Sequence, residues 1–479
     1  MPLESFFNPS GCAVVGASRR PDRAGHQILR NLEQNGYQGA LWAVNPRGEG
    51  VGPTPGYRQL AAIPGPVELV VMATPAQATP AVVDDLACRQ RRVGDIKALV
   101  VVAAGFRETG QEQGAAWQDL LIARCHELGI RVLGPNCVGV ISTHSGVNTT
   151  FILTDPPQEG GISFLSQSGA VGAWLIEEWS SPPCPLGFSK FISVGNMADV
   201  DLLEALNYLA EDETTNVVGL YLEGYAQGRA LAQALGRVAR KKPVVVLKVG
   251  RTGAGAQAAH SHTGSLAGSD RIYDGVLRQQ GVRRVETIEE LSDTMWAFDR
   301  LPLPQGGRTF LMTQAGGPGI YCADIIAESR HLSWAQVTGP TQKQLEGAMP
   351  PFASISRPVG HADITAQASA NQHGLGAELI LADEMTDALI LVTVPVMFVP
   401  PTAIAQQLIQ AQDRLQAAGI HKPLLPVLLA GTVVHDGRRA LSEAGMVPLA
   451  TPDRAARALN HLAGYAEFLR AGKEVTGGV

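Results

Sequence analysis

The feature that most constrains the fold is a series of short apolar segments, each ending near glycine or proline and followed by a helix-like segment. Examples are CAVVGAS, ELVVMATPA, ALVVVAAGF and RVLGPNC, then GISFLSQSG, VVGLYLEG and PVVVLKVG, and later RTFLMTQAGG, DALILVTVP and LLPVLLAG. Strands that are apolar on both faces belong to parallel sheets covered by helices. Their alternation with helices predicts repeated βαβ units and an α/β fold.

Two proline-containing segments divide these strands into three groups. TDPPQEGG occupies residues 154–161 and LPLPQGG occupies residues 301–307. Such composition is typical of linkers between domains, and a chain of 479 residues has room for more than one domain. We therefore predict three α/β domains in series.

Charge and composition argue against several classes of protein. A formal net charge of −6 disfavours general nucleic-acid binding. The six cysteines are scattered and form no CxxC pair, which disfavours a zinc site or a disulfide framework and fits a reducing compartment. The first residues do not resemble a secretory signal, and the longest apolar segment, ALILVTVPVMFVPP, is interrupted by proline. We expect a cytoplasmic protein without a membrane span.

Small and polar residues follow several strands of the first group, where ligands of open α/β sheets bind. These positions are Gly16-Ala17-Ser18, Asn45-Pro46, Thr74-Pro75, Gly105-Phe106 with Glu108, and Pro135-Asn136-Cys137. The set predicts a nucleotide-like ligand, although tight strand-to-helix turns without a ligand remain an alternative. The first turn is not GxGxxG, and Asn45 stands where a NAD-binding domain carries an acidic residue, which disfavours a dehydrogenase.

Two further turns have the composition of phosphate-binding helix starts. SQSG and QAGG each follow a strand and precede a helix, and Ser168 is suited to cap the first of these helices. A helix N-terminus offers unpaired N–H donors and partial positive charge, which suits a phosphoryl group. Residues 258–270, AAHSHTGSLAGSD, place two histidines among small and hydroxyl residues, a composition typical of a loop that bends or moves.

In this order, CAVVGAS, NP, GPNC, SQSGA, VGNMADVD, SHTGSLAG and AGGPG closely resemble motifs of the α subunits of ADP-forming (NDP-forming) acetate–CoA ligases. These are acyl-CoA synthetases of the succinyl-CoA synthetase superfamily, and the resemblance extends to about residue 468. It implies a Rossmann-like CoA-binding domain over residues 1–150. Two flavodoxin-like, succinyl-CoA synthetase-type domains would follow over residues 151–300 and 305–468.

The resemblance also implies the roles of individual residues. His262, in SHTGSLAG, matches the phosphorylated histidine, whereas His260 falls outside the motif. Glu223, in LYLEG, matches a carboxylate that supports the histidine, although a helix cap or a solvated acid would also suit its position. The matching CoA-binding positions are Gly16, Ala17, Ser18, Asn45, Pro46, Thr74, Pro75, Gly105, Phe106 and Asn136. The matching phosphate-binding positions are Ser166, Gln167, Ser168, Gly169, Gly316 and Gly317.

The family reaction is acyl-CoA + ADP + phosphate ⇌ carboxylic acid + CoA + ATP. Phosphate displaces CoA to give an acyl phosphate, the histidine takes the phosphoryl group, and its loop carries the group to ADP. A neutral imidazole can attack phosphorus near pH 7 because its ordinary pKa is about 6.5. A carboxylate on the other ring nitrogen fixes the tautomer and stabilises the ring during attack.

Two features of the sequence depart from the complete family pattern. No segment resembles the ATP-grasp portion that binds ADP or ATP with Mg²⁺, so we expect a separate ATP-grasp β subunit, in a heterotetramer. The third domain has RPVGHADITA, residues 357–366, where the family usually has NPVDLTG, which leaves the role of Asp363 open. The alternative function is a CoA or acyl-CoA sensor without catalysis, which the intact SHTGSLAG motif disfavours.

Overall fold

The computed structural model describes residues 3–153, 155–181, 183–255, 257 and 269–476. Contacts divide the chain into two compact units. The first unit comprises Met1–Ser181 and Pro185–Arg284, and the second comprises Val285–Val479 with Pro182–Cys184. Among the described helices, none has both the length and the apolar character needed to cross a membrane.

The first sheet is entirely parallel. Its strands are β1 (Gly11–Val15), β2 (Ala40–Val44), β3 (Gly56–Tyr57), β4 (Leu69–Met72), β5 (Ala98–Val101) and β6 (Arg131–Leu133). Its helices are α1 (Glu4–Phe7), α2 (Ala24–Gln34), α3 (Thr79–Arg92) and α4 (Glu112–Glu127). The strand order is β3-β2-β1-β4-β5-β6, which is a Rossmann order that reverses between β1 and β4. The complete burial of β1, β4 and β5 explains their unbroken apolar sequences.

The second sheet lies in the same compact unit and mixes parallel and antiparallel strands. Its strands are β7 (Val140–Ser142), β8 (Val147–Asn148), β9 (Gln158–Ser166), β10 (Gly187–Ser193), β11 (Val217–Leu222), β12 (Val244–Lys248) and β13 (Arg283–Val285). Its helices are α5 (Gly169–Ser180), α6 (Leu202–Glu211), α7 (Gly228–Ala239) and α8 (Asp270–Gln279). The order is β13-β12-β11-β9-β10-β7-β8, with β9 to β12 parallel and the hairpin β7–β8 antiparallel.

The third sheet belongs to the second compact unit. Its strands are β14 (Arg308–Thr313), β15 (Ser333–Trp334), β16 (Ser354–Ile355), β17 (His361–Asp363), β18 (Ala388–Thr393) and β19 (Leu424–Leu428). The helices of this unit are α9 (Ile288–Arg300), α10 (Gly316–Glu328), α11 (Gly339–Ala348), α12 (Ala370–Ala382), α13 (Pro401–Ala417), α14 (His435–Glu443) and α15 (Pro452–Thr476). The order is β16-β17-β14-β18-β19, and β15 pairs with β14. Short 3-10 turns occur at Leu60–Ala62, Ala76–Ala78, Arg107–Thr109 and Thr432–Val434.

The grouping of elements differs from the linkers read in the sequence. Strands β7 and β8 precede residue 150 but extend the second sheet, because β7 pairs with the buried strand β10. Helix α9 precedes the segment 301–307 but belongs to the second compact unit, where Arg454 donates two hydrogen bonds of 2.6 Å to the buried carboxylate of Asp293. A buried carboxylate requires such a partner. These contacts show how the elements pack and do not test the domain boundaries 1–150, 151–300 and 305–468, which stay predictions.

Asp199 joins the first sheet to the segment that follows β10. Its carboxylate accepts hydrogen bonds from both Nε and Nη2 of Arg131, at 2.9 and 3.0 Å, and from the Val132 N–H at 2.7 Å. Its side chain is only 8% exposed. Burial by itself would raise the pKa of Asp199, but the hydrogen bonds from Arg131 and Val132 outweigh it, and the pKa lies below the ordinary value. The carboxylate therefore stabilises the folded chain at neutral pH.

We predict that Asp199→Asn lowers the free energy of unfolding by about 2 kcal/mol at pH 7, because Arg131 and the Val132 N–H lose their charged acceptor, while Arg131 keeps its bond to Glu204. Since the pKa of Asp199 is lower in the folded than in the unfolded chain, this contribution is present above about pH 4 and is lost as the pH falls below it. Urea unfolding at pH 7 and pH 3 should show the difference from wild type shrinking at pH 3.

Glu127→Gln is the control, because the pair between Arg124 and Glu127 is exposed and exposed pairs contribute at most about 1 kcal/mol. An Asp199→Asn loss that is the same at both pH values would contradict the assigned role of the carboxylate.

Candidate functional site

The turn after β1 lies at the carboxyl edge of the first sheet, where the strand order reverses. Gly16 has a φ of +95°, a conformation that favours glycine, and its N–H donates to the Val44 carbonyl at 2.9 Å. A Cβ atom on Gly16 would lie 2.9 Å from the Thr74 side chain. A Cβ atom on Gly25 would lie 2.2 Å from the Gly16 carbonyl oxygen. Helix α2 therefore starts in direct contact with this turn, and both glycines are required for the approach.

The remaining residues of this turn bond mainly within their own loop. The Ser18 hydroxyl accepts a hydrogen bond from the Arg20 N–H at 3.1 Å. Arg20 pairs with Asp22 at 2.6 Å, and Arg19 Nε donates to a carbonyl of the loop after β2 at 3.0 Å. Ala17 is buried. The two arginines thus already have partners on the exposed surface of the loop.

Asn45 closes the loop that follows β2. Its Oδ1 accepts hydrogen bonds from the N–H groups of Arg47 and Glu49, both at 3.2 Å. Its Nδ2 donates to the Glu49 carbonyl at 2.8 Å. The amide therefore fixes the path of the chain through Pro46, which explains why an asparagine and not an acidic residue stands here.

Thr74 presents an unusual hydroxyl at the end of β4. The Oγ1 atom is buried and has no hydrogen-bond partner among the described residues. It stands beside the Gly16 turn, and Pro75 follows as the exposed residue before the 3-10 turn Ala76–Ala78. Buried hydroxyls are almost always paired, so this one is a candidate ligand contact.

Gly105 and Phe106 differ from the expectation that they face a ligand. The Phe106 side chain is completely buried in the core of the first sheet, so only its backbone could meet a ligand. The N–H groups of Gly105 and Phe106 donate to Oε1 of Glu108, at 2.6 and 3.1 Å. Burial would raise the pKa of Glu108, but hydrogen bonds from Asn196 and Gly105 outweigh it and the pKa lies below the ordinary value. These two N–H groups are therefore already bonded to the Glu108 carboxylate of the same turn.

Asn136 lies in a tight turn after β6, next to the segment VGNMADVD. It follows a cis peptide bond between Gly134 and Pro135 and has a φ of +56°. Its Nδ2 donates to Oδ1 of Asn196 at 3.4 Å, and Asn196 Nδ2 donates to Glu108 at 2.6 Å. These amides connect the carboxyl edges of the first and second sheets within one compact unit.

Cys137 follows the turn at Asn136, whereas Cys12 lies toward the amino end of β1, and both act as packing residues. Both are buried, and burial raises the pKa of each thiol to about 12. At neutral pH both are therefore uncharged thiols, which do not act as nucleophiles.

The carboxyl edge of the second sheet brings SQSG and Glu223 together, because β9 and β11 are neighbouring parallel strands. Gln167 uses both ends of its amide on the chain after β11. Its Oε1 accepts from the N–H groups of Glu223 and Gly224, at 2.6 and 3.2 Å, and its Nε2 donates to the Gly224 carbonyl at 2.8 Å. Gln167 therefore fixes the backbone of Glu223, whose side chain is largely buried.

Ser168 begins helix α5 as its N-cap, and its hydroxyl accepts a hydrogen bond from the Val171 N–H at 3.3 Å. Ser166 stabilises the same turn through a hydrogen bond of 2.7 Å to the Ser168 carbonyl. A Cβ atom on Gly169 would lie 2.6 Å from Val138 Cγ2, so glycine is needed there. The other first-turn N–H groups of the helix are the donors that an anion could use.

His262 lies outside the described residues, together with the rest of the segment 258–268. The described residues nearest to this segment in sequence are Gln257 on one side and Ser269, which precedes α8, on the other. No group of three or more His, Cys, Asp or Glu side chains among the described residues is arranged to hold a metal ion.

The carboxyl edge of the third sheet carries the second glycine-rich turn. Gln314 follows β14, and helix α10 begins at Gly316. A Cβ atom on Gly316 would lie 3.5 Å from Oδ2 of Asp363, whereas one on Gly317 would meet no atom within 4 Å. Gln314 is buried, and its Oε1 lies 2.9 Å from Nε2 of His373.

The altered turn RPVGHADITA keeps Asp363 at this same edge. Asp363 ends β17, which is parallel to β14, and its Oδ1 accepts the Thr365 N–H at 2.9 Å. The residues before it form a hairpin between β16 and β17 that contains a cis bond at Arg357-Pro358. Asp363 therefore stands beside the start of α10 despite the different sequence of the turn.

Three contributions were not foreseen from the sequence. Gln167 acts on Glu223 through the backbone, and Glu108 occupies the donors of its own turn. Lys248, which is fully buried at the end of β12, donates to the Glu223 carbonyl at 2.9 Å. A lysine inside the apolar segment VVVLKV was the one available signal, because lysine is rarely buried without a specific partner.

Three family models match successive parts of the chain. A CoA binding domain matches residues 11–143, a succinyl-CoA ligase like flavodoxin domain matches residues 159–298, and a ligase-CoA domain matches residues 309–465. The predicted fold class, a Rossmann-like CoA-binding domain followed by two flavodoxin-like, succinyl-CoA synthetase-type domains, is confirmed.

Similar proteins span the whole chain. The α subunit of acetate–CoA ligase [ADP-forming] II of Pyrococcus furiosus is 38% identical over 480 residues, covering 100% of this chain and 99% of that protein. Acetate–CoA ligase [ADP-forming] I of Archaeoglobus fulgidus is 34% identical over 468 residues, which cover 97% of this chain but 64% of that protein. The solved acetyl-coenzyme A synthetase 1 of Candidatus Korarchaeum cryptofilum, in complex with phosphate and ADP, has a TM-score of 0.89 at 32% identity, covering 98% of this chain and 99% of that one.

We predict that Gln167→Leu loosens the backbone at residues 223–224, because their N–H groups lose their acceptor. The unpaired donors should lower the free energy of unfolding by about 2 kcal/mol. Hydrogen exchange of a peptide spanning residues 221–225 should become faster. Ser168→Ala, in the same turn, should affect the start of helix α5 and leave this peptide unchanged. Unchanged exchange in Gln167→Leu would contradict the contact.

Proposed function

The chain belongs to the family of the ADP-forming acetate–CoA ligase α subunits and is an NDP-forming acyl-CoA synthetase, an acid–thiol ligase, and we propose that His262 carries the phosphoryl group between its two half-reactions. The single observation that carries this proposal is the meeting of Glu223 and the Ser168–Gly169 helix start at one edge of the second sheet. A carboxylate and an anion-binding helix terminus are the two elements that a phosphorylated imidazole needs.

The proposed reaction has three steps that balance. Phosphate attacks the acyl-CoA carbonyl, and the CoA thiolate leaves with a proton to give an acyl phosphate and CoA. The neutral imidazole of His262 then attacks phosphorus, and the P–O bond to the acyl group breaks to release the carboxylate. The phosphohistidine finally transfers its phosphoryl group to ADP, giving ATP and restoring the ring.

Each described group has a proposed role in these steps. The N-terminal donors of α5 neutralise the transferring phosphoryl group, since such transfers depend on positioning and charge stabilisation. Glu223 accepts a hydrogen bond from the ring nitrogen of His262 that does not attack, which holds the tautomer. The second glycine-rich turn, at Gly316 and Gly317, serves the nucleotide half of the reaction.

CoA is proposed to bind at the reversal of strand order in the first sheet. The turn from Gly16 to Ser18 lies at this reversal, beside the Thr74 hydroxyl, which is without a hydrogen-bond partner in the described part of the chain; both support the assignment. Asn45, Pro46, Pro75 and Asn136 shape its surrounding loops. Phe106 supports the site from the core, and Gly105 contributes through a turn that Glu108 closes. The acid is a small carboxylic acid.

We propose that a separate ATP-grasp β subunit supplies the site for ADP or ATP with Mg²⁺, in a cytoplasmic heterotetramer. Two facts support a partner: the Pyrococcus relative is itself named as an α subunit, and the Archaeoglobus relative continues well beyond the part that this chain matches.

We predict that the chain, combined with its ATP-grasp β subunit, becomes phosphorylated by Mg-ATP on His262. With [γ-³²P]ATP the label should be acid-labile and base-stable, as expected for phosphohistidine. His262→Ala should abolish it, whereas His260→Ala should retain it. Equal labelling of wild type and His262→Ala would refute the site. Absence of label in wild type together with tight CoA binding would instead favour an acyl-CoA sensor.

We predict that Gly25→Ala weakens CoA binding by about tenfold, because the new Cβ atom would force helix α2 away from the Gly16 turn. Gly228→Ala is the matched control, since a Cβ atom there would meet nothing within 4 Å. Calorimetric titration with CoA measures the effect, and a parallel titration with NADH should show no binding. Wild-type affinity in Gly25→Ala would contradict this location for CoA.

A further inference from the structure

Lys248 is a buried lysine at the carboxyl edge of the second sheet, and it is 1% exposed. An ammonium group removed from water needs compensating partners. Its Nζ donates to the carbonyl oxygens of Glu223, at 2.9 Å, and of Val249. The same atom lies 4.7 Å from the centroid of the Tyr273 ring, a cation–π contact. Two carbonyl oxygens and one aromatic ring thus surround the ammonium group.

Lys248 bonds to the carbonyl group of Glu223, and Gln167 bonds to its N–H group. In the parallel register Lys248 is opposite Leu222, so its amine reaches the carbonyl of the following residue. The N–H group of Glu223 is held by Gln167 at 2.6 Å. With both its N–H and its carbonyl bonded to side chains of neighbouring strands, Glu223 has a fixed Cα–Cβ direction.

Tyr273 ties helix α8 to the same point. Its ring lies against the Lys248 ammonium, with 4.7 Å between the ring centroid and Nζ. Lys248 ends β12 and Tyr273 lies in the first turn of α8, so the ammonium of Lys248 connects the Glu223 carbonyl to helix α8.

Burial and the neighbouring charged side chains both affect the protonation of Lys248. Burial lowers the pKa of Lys248, and the nearby Arg284 acts in the same direction, while the carboxylates of Asp270 and Glu223 act in the opposite direction.

We propose that Lys248 is a positioning residue for phosphoryl transfer, which holds the Glu223 backbone so that its carboxylate meets the imidazole in a fixed orientation. This inference rests on the proposed function of Glu223 and His262. The competing explanation is that Lys248 only stabilises the sheet. Lys242 provides the comparison, because it also donates to two main-chain carbonyls, those of Leu209 and Asp212, but at the opposite end of β12.

The test compares Lys248→Met with Lys242→Met in the complex with the ATP-grasp β subunit. The rate of phosphohistidine formation from Mg-[γ-³²P]ATP should fall about 10²-fold in Lys248→Met, since small misplacements of catalytic groups have effects of this size. CoA affinity should be unchanged, and hydrogen exchange at residues 223–225 should become faster. Lys242→Met should retain the wild-type labelling rate. Tyr273→Leu should also lower the rate of phosphohistidine formation, and Tyr273→Phe, which keeps the ring, should lower it less.

The outcomes separate this inference from the function on which it rests. Labelling of Lys248→Met at the wild-type rate would overturn it while leaving the phosphohistidine in place. Equal loss of labelling in Lys248→Met and Lys242→Met, in proportion to lost thermal stability, would also overturn it by showing a structural role. A wild-type complex that is not labelled would reject the proposed function itself. If Lys248→Met does not fold, the two Tyr273 variants decide by the same criteria.

Discussion

Parallel strands carry their carboxyl ends to one edge of a sheet, and the whole candidate site depends on this constraint. In the second sheet it brings the end of β9, which starts helix α5, beside the end of β11, which carries Glu223. In the first sheet it brings the Gly16 turn beside Thr74, and in the third it brings Asp363 beside the start of α10. Residues far apart in sequence thus meet because the sheets are parallel.

Much of this arrangement could be predicted from the sequence. The apolar strands, their order along the chain and the small residues at their ends indicate α/β domains with ligands at the carboxyl edges. The motifs SQSGA, SHTGSLAG and AGGPG are among those that indicate the family, and the predicted positions of Ser168 and Glu223 at strand ends agree with the structure. These predictions succeed because they depend on local composition, and the same pattern of small and polar residues recurs at each strand-to-helix turn.

The rest could not be predicted because it depends on long-range pairing. Nothing local indicates that β7 and β8 join the second sheet, that α9 packs with Arg454 of the last helix, or that Glu108 takes the N–H groups of Gly105 and Phe106. Gln167 and Lys248 reach Glu223 from two different strands, and each contact exists only once the register is set. The sequence indicates which residues are polar at the edges, and the fold decides which of them contact each other.

The amide of Gln167 has a consequence for how the chain would respond to acidity. An amide side chain does not gain or lose a proton over the range in which an imidazole changes its charge. The hydrogen bonds from Glu223 and Gly224 to Gln167 are therefore insensitive to acidification across that range. A change of activity near pH 7 would then report the protonation of other groups at the site, because these backbone hydrogen bonds do not change.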